Sequence, residues 1–316
     1  MLIRDLRVKT TSRRRQAPGV GAPQTPDLRK DGTSVSAKHY SAILSAALLA
    51  VVVLAAYQPE AEAIANAKLG PRLAASCYYS HSSEEDPIIH PMPGMGHAHR
   101  FYGNESTNQT STNASLREGT DLCKQQGDKS AIWTPEASWN GVPVYAGRAV
   151  VYYQVTRGIP QGKINALPPW FKAIDRDPTF SCGIKGEFQR FAPGECGAGY
   201  FRVRFEFQQC LDPTNQSAEE NLSSPVRGKK GLHCPAKYPR LIPRIQVTFG
   251  YPLPKDVTEG PFRVDSSNGM VRALNDHADY MGAWVGDTQQ ALVRTCLRTV
   301  DFKERRPATC RTADGK

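Results

Sequence analysis

Two of the chain's seven histidines stand two residues apart in Gly96-His97-Ala98-His99-Arg100-Phe101-Tyr102-Gly103-Asn104. In an extended strand residues i and i+2 share a face, so His97 and His99 would present their imidazoles side by side. Paired imidazoles suit a divalent metal, a proton-transfer pair or a polar ligand pocket. The same spacing recurs in Asn275-Asp276-His277-Ala278-Asp279-Tyr280, where it joins an imidazole to a carboxylate. A carboxylate beside a histidine fixes its tautomer and raises its basicity. If the two segments meet, His97, His99, His277 and Asp279 form a set able to hold Zn, Mn or Fe, or to work as acid and base without metal. Each histidine taken singly also suits a buried structural role, bonded to backbone carbonyls.

Strands are the elements best suited to position these groups. Phe201, Val203, Phe205 and Phe207 alternate with Tyr200, Arg202, Arg204 and Glu206, a period-2 pattern with an aromatic inner face. Ile245, Val247, Phe249 and Tyr251 alternate with polar neighbours in a second strand. Ala149–Val155 reads as a third strand, buried on both faces. One helix is expected, capped by Asp287 or Thr288, with Leu292, Val293, Cys296, Leu297 and Val300 as its apolar stripe. Residues 212–233 read as a polar surface loop. The expected fold is mainly β, a sandwich or distorted barrel with a C-terminal helix.

The N-terminal part differs from the rest. Residues 1–40 hold nine basic and three acidic side chains, a net +6 of the formal +10, and read as a disordered cytoplasmic tail. Basic charge thus belongs to the tail, and with no nucleic-acid motif in the chain, nucleic acid is not an expected partner. Residues 41–57 form an uncharged apolar run of roughly 25 Å if helical. It reads either as a single-pass anchor or as the h-region of a signal peptide. In the second case Ala61-Glu62-Ala63 or Ala65-Asn66-Ala67 supplies the cleavage site. Both readings place the chain beyond about residue 60 outside the cell. Residues 58–75 are expected to be a linker and 76–316 the folded domain. All eight cysteines fall in that domain with no C-x-x-C pair, as suits disulfides in an oxidising compartment. Closeness in sequence suggests Cys210–Cys234 and Cys296–Cys310 as two of the bridges.

Several ordered segments carry a resemblance. They are Cys77-Tyr78-Tyr79-Ser80-His81, Asp86-Pro87-Ile88-Ile89, the His97–Asn104 segment, Ser111-Thr112 with Leu116-Arg117, Ser130-Ala131-Ile132-Trp133-Thr134-Pro135, Tyr152-Tyr153, and His277-Ala278-Asp279-Tyr280 with Trp284. Together they resemble an exported family of bacteria and fungi, a domain of unknown function numbered nineteen ninety-six, over roughly residues 77 to 300. The resemblance implies a secreted or wall-associated protein, and the joining of some fungal relatives to carbohydrate-binding modules points to polysaccharide. It implies no established reaction. Two stretches depart from the family pattern. A histidine-rich region between the cysteines matching Cys210 and Cys234 is replaced by Asn221–Gly228, and a Gly-Leu-Arg-Met-like segment is replaced near Trp170-Phe171-Lys172-Ala173.

These readings suggest an extracytoplasmic protein that acts on or binds cell-wall polysaccharide. Its His/Asp cleft would have Asp279 as base or metal ligand and His277 or His99 as acid. Asp86 and Asn104 are expected nearby, with Trp133, Tyr152 and Trp284 stacking on sugar faces. The alternatives are a non-catalytic envelope protein with structural histidines and a metal-dependent enzyme of another class. The chain has no Gly-rich phosphate loop, G-x-S-x-G or H-E-x-x-H, so the common nucleotide, serine-hydrolase and zincin mechanisms lose support. Five N-x-S/T sequons, at Asn104, Asn108, Asn113, Asn215 and Asn221, read as turn-rich sequence rather than as glycan sites.

Overall fold

Alternation of apolar and polar residues builds most of the architecture. A computed structural model describes residues 69–89, 96–197, 199–257, 259–264, 276–298 and 310. All of these belong to one unit, Ala63–Lys316. The expectations for the tail 1–40, the apolar run 41–57 and Val300 lie outside the described residues. Among the described residues no helix is long and apolar enough to cross a membrane.

In chain order the strands are β1 (Leu69–Ser83), β2 (His99–Gly103), β3 (Ala131–Pro135), β4 (Ala137–Trp139), β5 (Val142–Val144), β6 (Arg148–Thr156), β7 (Lys172–Asp175), β8 (Thr179–Cys182), β9 (Tyr200–Glu206), β10 (Cys210–Leu211), β11 (Leu222–Ser223), β12 (Val226–Gly228), β13 (Gly231–His233), β14 (Arg240–Leu241), β15 (Arg244–Pro252), β16 (Phe262–Val264) and β17 (Ala278–Met281). Two short helices join them, α1 (Asn113–Glu118) and α2 (Thr288–Leu292). Nine strands form one curled sheet, a half-barrel, in the order β7, β17, β3, β2, β1, β6, β15, β9, β8. The barrel form of the expected mainly β fold is the one adopted. The remaining strands form small ribbons of two or three.

The fifteen-residue β1 organises the sheet, pairing antiparallel with β6 along one edge and with β2 along the other. It starts at Leu69, inside the segment expected to be linker. Leu73 and Ala75 are buried in the core opposite Tyr153 and Val151, so hydrophobic burial extends the domain toward the N-terminus. The aromatic face of β9 is fully inside, with Phe201, Val203 and Phe205 buried, and β15 buries Ile245, Val247, Phe249 and Tyr251 beside it. In β6 double-sided burial is restricted to the second half. Val150 and Tyr152 are partly exposed, whereas Tyr153 to Thr156 are all buried.

The segment 212–233 is not a plain loop. β11 pairs with β10, and β12 and β13 form a hairpin that turns through Lys229-Lys230 into Gly231, whose φ of 100° suits a residue without a Cβ. The expected helix is present but short. Asp287 occupies the cap position without a side-chain capping bond, and α2 widens into a π-helical turn at Val293–Arg298. Leu292, Val293, Cys296 and Leu297 face the core as the stripe requires.

Four disulfides hold the domain: Cys77–Cys123, Cys182–Cys196, Cys210–Cys234 and Cys296–Cys310. No cysteine is free. Such a set is the mark of an oxidising, extracytoplasmic environment.

Candidate functional site

The site grows from the register of three adjacent strands. β2 and β3 pair His99 with Pro135 and Phe101 with Trp133, and β3 and β17 pair Trp133 with Asp279. Directly paired residues point to one face, and continuing the β17 register puts His277 beside Pro135. His99 and His277 therefore flank Pro135 on the two neighbours of β3. Phe101, Trp133 and Asp279 form the next row. On the same face Phe101, Trp133, Ala131 and Met281 pack with Leu116 of α1, Ala283 and Ile88 in an apolar cluster separate from the main core. The polar site lies at the end of that cluster.

The structure brings the two histidine segments together. His99 Nε2 is 3.2 Å from His277 Nε2, although the residues are 178 positions apart. His277 Nε2 is also 3.2 Å from Asp279 Oδ2. His97 precedes β2 rather than lying within it, yet its ring centre is 4.2 Å from that of His99 and 5.2 Å from that of His277. Asp86, on the loop after β1, puts Oδ2 3.8 Å from His99 Nε2 while its Oδ1 accepts the backbone N–H groups of Ile88 and Ile89.

One ligand atom from each of His97, His99 and His277 lies within 4.8 Å of the others, and the same holds for Asp86, His99, His277 and Asp279. His99, Asp86 and Asp279 are fully buried and His277 nearly so, whereas His97 is partly exposed. Neither oxygen of Asp279, nor Oδ2 of Asp86, accepts a hydrogen bond from a described residue. Burial holds the Asp279 carboxyl well above the usual carboxylate range, and the nearby Asp86 charge adds to the effect. Two buried carboxyls facing a group of imidazoles are costly unless a cation or protons lie between them. A third candidate cluster, Cys77, Cys123 and Asp128, has both thiols in a disulfide and offers no thiolate.

The other expected ligand contacts lie elsewhere. Asn104 is fully buried and holds a turn. Its Nδ2 donates to Leu116 O and Lys129 O, and its Oδ1 accepts from the N–H and hydroxyl of Ser106. Gly103 before it has a φ of 85°, and a Cβ there would sit 2.4 Å from Ser130 O. The Gly-Asn pair closing the histidine motif therefore serves the backbone. Trp133 is completely buried against Phe101, with ring centres 5.3 Å apart. Tyr152 faces away from the core beneath Arg72, 4.8 Å from its ring centre. Trp284 packs edge-on against Tyr153. None of these three rings forms a stacking platform at the histidines. The sequons at Asn104, Asn113 and Asn221 are buried, so the folded chain offers no glycan site there.

Two features were missed. His81, level with Phe101 across the β1–β2 pairing, stacks on it at 4.7 Å with nearly parallel rings. A hydrogen-bonded network also occupies the core on the opposite side of β17. The Tyr153 hydroxyl donates to Asp128 Oδ2 at 2.8 Å and lies 2.9 Å from the Tyr280 hydroxyl, which is 2.9 Å from Ser130 Oγ. Burial raises the Asp128 carboxyl from an ordinary 3.8 to about 6, against the opposing pull of the Ser130 and Tyr153 bonds.

The folded chain therefore holds this proton more tightly than the unfolded chain. Its contribution to stability is complete below pH 4 and is lost as pH rises to about 6. A shift of this size corresponds to about 3 kcal/mol. Asp128→Asn removes the titration. In denaturant melts wild type loses about 3 kcal/mol relative to this variant between pH 4 and pH 7, and parallel pH profiles would contradict the assignment.

A curled, disulfide-bonded β domain with a buried imidazole–carboxylate cluster at one end of its sheet is the class that this fold and site define. A family model described as a domain of unknown function (DUF1996) matches residues 86–284, and the chain belongs to that family. The match begins at Asp86, ends at Trp284 and includes every residue of the cluster. No curated protein and no solved structure matches the chain.

Proposed function

We propose that the chain is an extracytoplasmic envelope protein whose cluster of His97, His99, His277, Asp86 and Asp279 holds a divalent first-row metal ion. The observation that carries this reading is the overlap of two sets of donors at His99 and His277: His97 completes a three-imidazole group, and Asp86 and Asp279 complete a four-residue group that is wholly buried. Imidazole and carboxylate donors together suit Zn, Mn or Fe. The four disulfides support life outside the cytoplasm, with residues 41–57 as anchor or signal segment. In this reading the protein acts on or binds cell-wall polysaccharide.

A second reading is favoured by burial itself. Structural metal sites are closed, whereas catalytic ones keep a position open to substrate. A centre with four enclosed ligands fits a non-catalytic wall protein whose ion ties β17 to β2. The segment replacing the family's histidine-rich stretch lies close by. Asn221 Nδ2 donates to Lys172 O on β7, the strand paired with β17.

Elemental analysis of the purified full chain tests the metal. Near-stoichiometric divalent metal is expected in wild type and its loss in both His97→Ala and His277→Ala. Metal-free wild type, or metal retained in both variants, overturns the proposal.

A further inference from the structure

A cavity of about 330 Å³ opens between α1, the 166–169 segment and the start of α2, and none of the metal-cluster residues lines it. This volume is within the range of small-molecule sites. Its walls combine apolar and cationic groups. Leu167, Pro168, Pro169 and Trp284 supply the apolar surface, and Arg117 and Arg240 bring guanidinium groups. Each arginine is positioned by one backbone carbonyl, Arg117 through Pro169 O and Arg240 through Ala166 O. Neither forms an ion pair with an acidic side chain among the described residues. The one acidic residue of the lining, Asp287, is exposed.

The rest of the wall is rich in donors. Gln289 is buried with its Oε1 committed to the Leu167 N–H, and its Nε2, like Arg240 Nε, has no acceptor among the described residues. Burial without a nearby counter-charge lowers the affinity of Arg240 for its proton. A half-enclosed guanidinium with no carboxylate beside it is an unfavourable arrangement that an incoming anion relieves.

We infer that this cavity binds a carboxylate-bearing sugar unit, its carboxylate held by Arg117 and Arg240 and its ring against Trp284 and the two prolines. The planar guanidinium groups match a carboxylate, and the apolar walls match the C–H face of a pyranose. The inference needs no metal. It deepens the polysaccharide part of the proposed function by naming an acidic saccharide as the ligand class.

The test is titration calorimetry of the full chain, with and without chelator, using glucuronate and a galacturonate trimer as probes and glucose and inorganic phosphate as comparisons. The expected result is uronate binding that persists after chelation, with no binding of glucose. Arg117→Gln and Arg240→Gln keep a donor for the backbone carbonyls but remove the charge, and each should weaken binding tenfold or more. A readout on the unaltered protein covers the case in which a variant misfolds. Phenylglyoxal modification of Arg117 and Arg240, followed by mass spectrometry, should be slowed by uronate and not by glucose. Absence of uronate binding, equal binding of glucose, or unprotected arginines overturns the inference. Equal protection by phosphate overturns the saccharide assignment. Binding that disappears with chelation assigns the ligand to the metal cluster instead.

Discussion

If the proposed divalent ion is bound, removing it from the purified chain with a chelator is expected to lower the thermal unfolding midpoint by roughly 8–16 °C. An ion that binds only the folded state, at a thousandfold excess over its Kd, stabilises it by about 4 kcal/mol. For a domain of this size each kcal/mol corresponds to about 2–4 °C. The effect is this large because four of the ligands are buried. Without a cation, Asp86 and Asp279 stay enclosed near one another, with three carboxylate oxygens accepting no hydrogen bond and two of them facing only the imidazoles of His99 and His277. His277→Ala is expected to melt near the chelated midpoint and to be insensitive to chelator. Readdition of metal restores wild type and not the variant. A chelator effect of equal size on both would show that the ion acts elsewhere, and no effect on wild type would remove the centre from the stability of the fold.

Trp133→Ala is expected to cost about 3–5 kcal/mol in denaturant unfolding, the range for emptying a buried aromatic position. The residue is completely buried in the middle row of the site face, between Phe101 and Asp279. Loss of its volume disturbs the strand that carries Asp279 as well as the apolar cluster beneath α1, so metal retention falls together with stability. Tyr152→Ala is the contrast. Its ring lies under Arg72 on the outer side of β6, and its removal is expected to cost about 1 kcal/mol or less. If Trp133→Ala is as mild as Tyr152→Ala, the apolar cluster is not what holds the site in place.

The contrast between these two aromatics also marks how far the sequence could be read. Period-2 runs such as Phe201 to Phe207 identify their strands because burial of one face leaves a local trace, and Ile245 to Tyr251 do the same. The i, i+2 spacing of His97 with His99 and of His277 with Asp279 is likewise local, and it pointed to residues that the fold does bring together. Which of Tyr152 and Tyr153 faces inward depends on the phase of β6 against β1 and β15, and that phase is fixed by pairing across the sheet. Asn104 and Trp133 lie buried in a turn and in an apolar cluster, placements their residue types do not announce, because polar and aromatic side chains are used as freely for turns and cores as for sugars. The network of Asp128, Ser130, Tyr153 and Tyr280 left no local trace, since its members come from distant segments. Asp86 was expected near the histidines on the strength of the family resemblance alone. The two bridges suggested by closeness form, whereas Cys196 lies equally far in sequence from Cys182 and Cys210, so closeness alone did not assign Cys182–Cys196.

The wide separation of His99 and His277 has a consequence for maturation. Asp86, His97 and His99 leave the ribosome early, and His277 and Asp279 arrive only near the end of synthesis. The donors converge only where β17 pairs with β3, so the proposed ion would load after that pairing has formed. A chain translocated before it folds would then take its metal from the external medium, and the supply there, as much as ligand chemistry, would decide which ion is found. A product truncated ahead of Asp276 would keep three of its four bridges and lack both late donors.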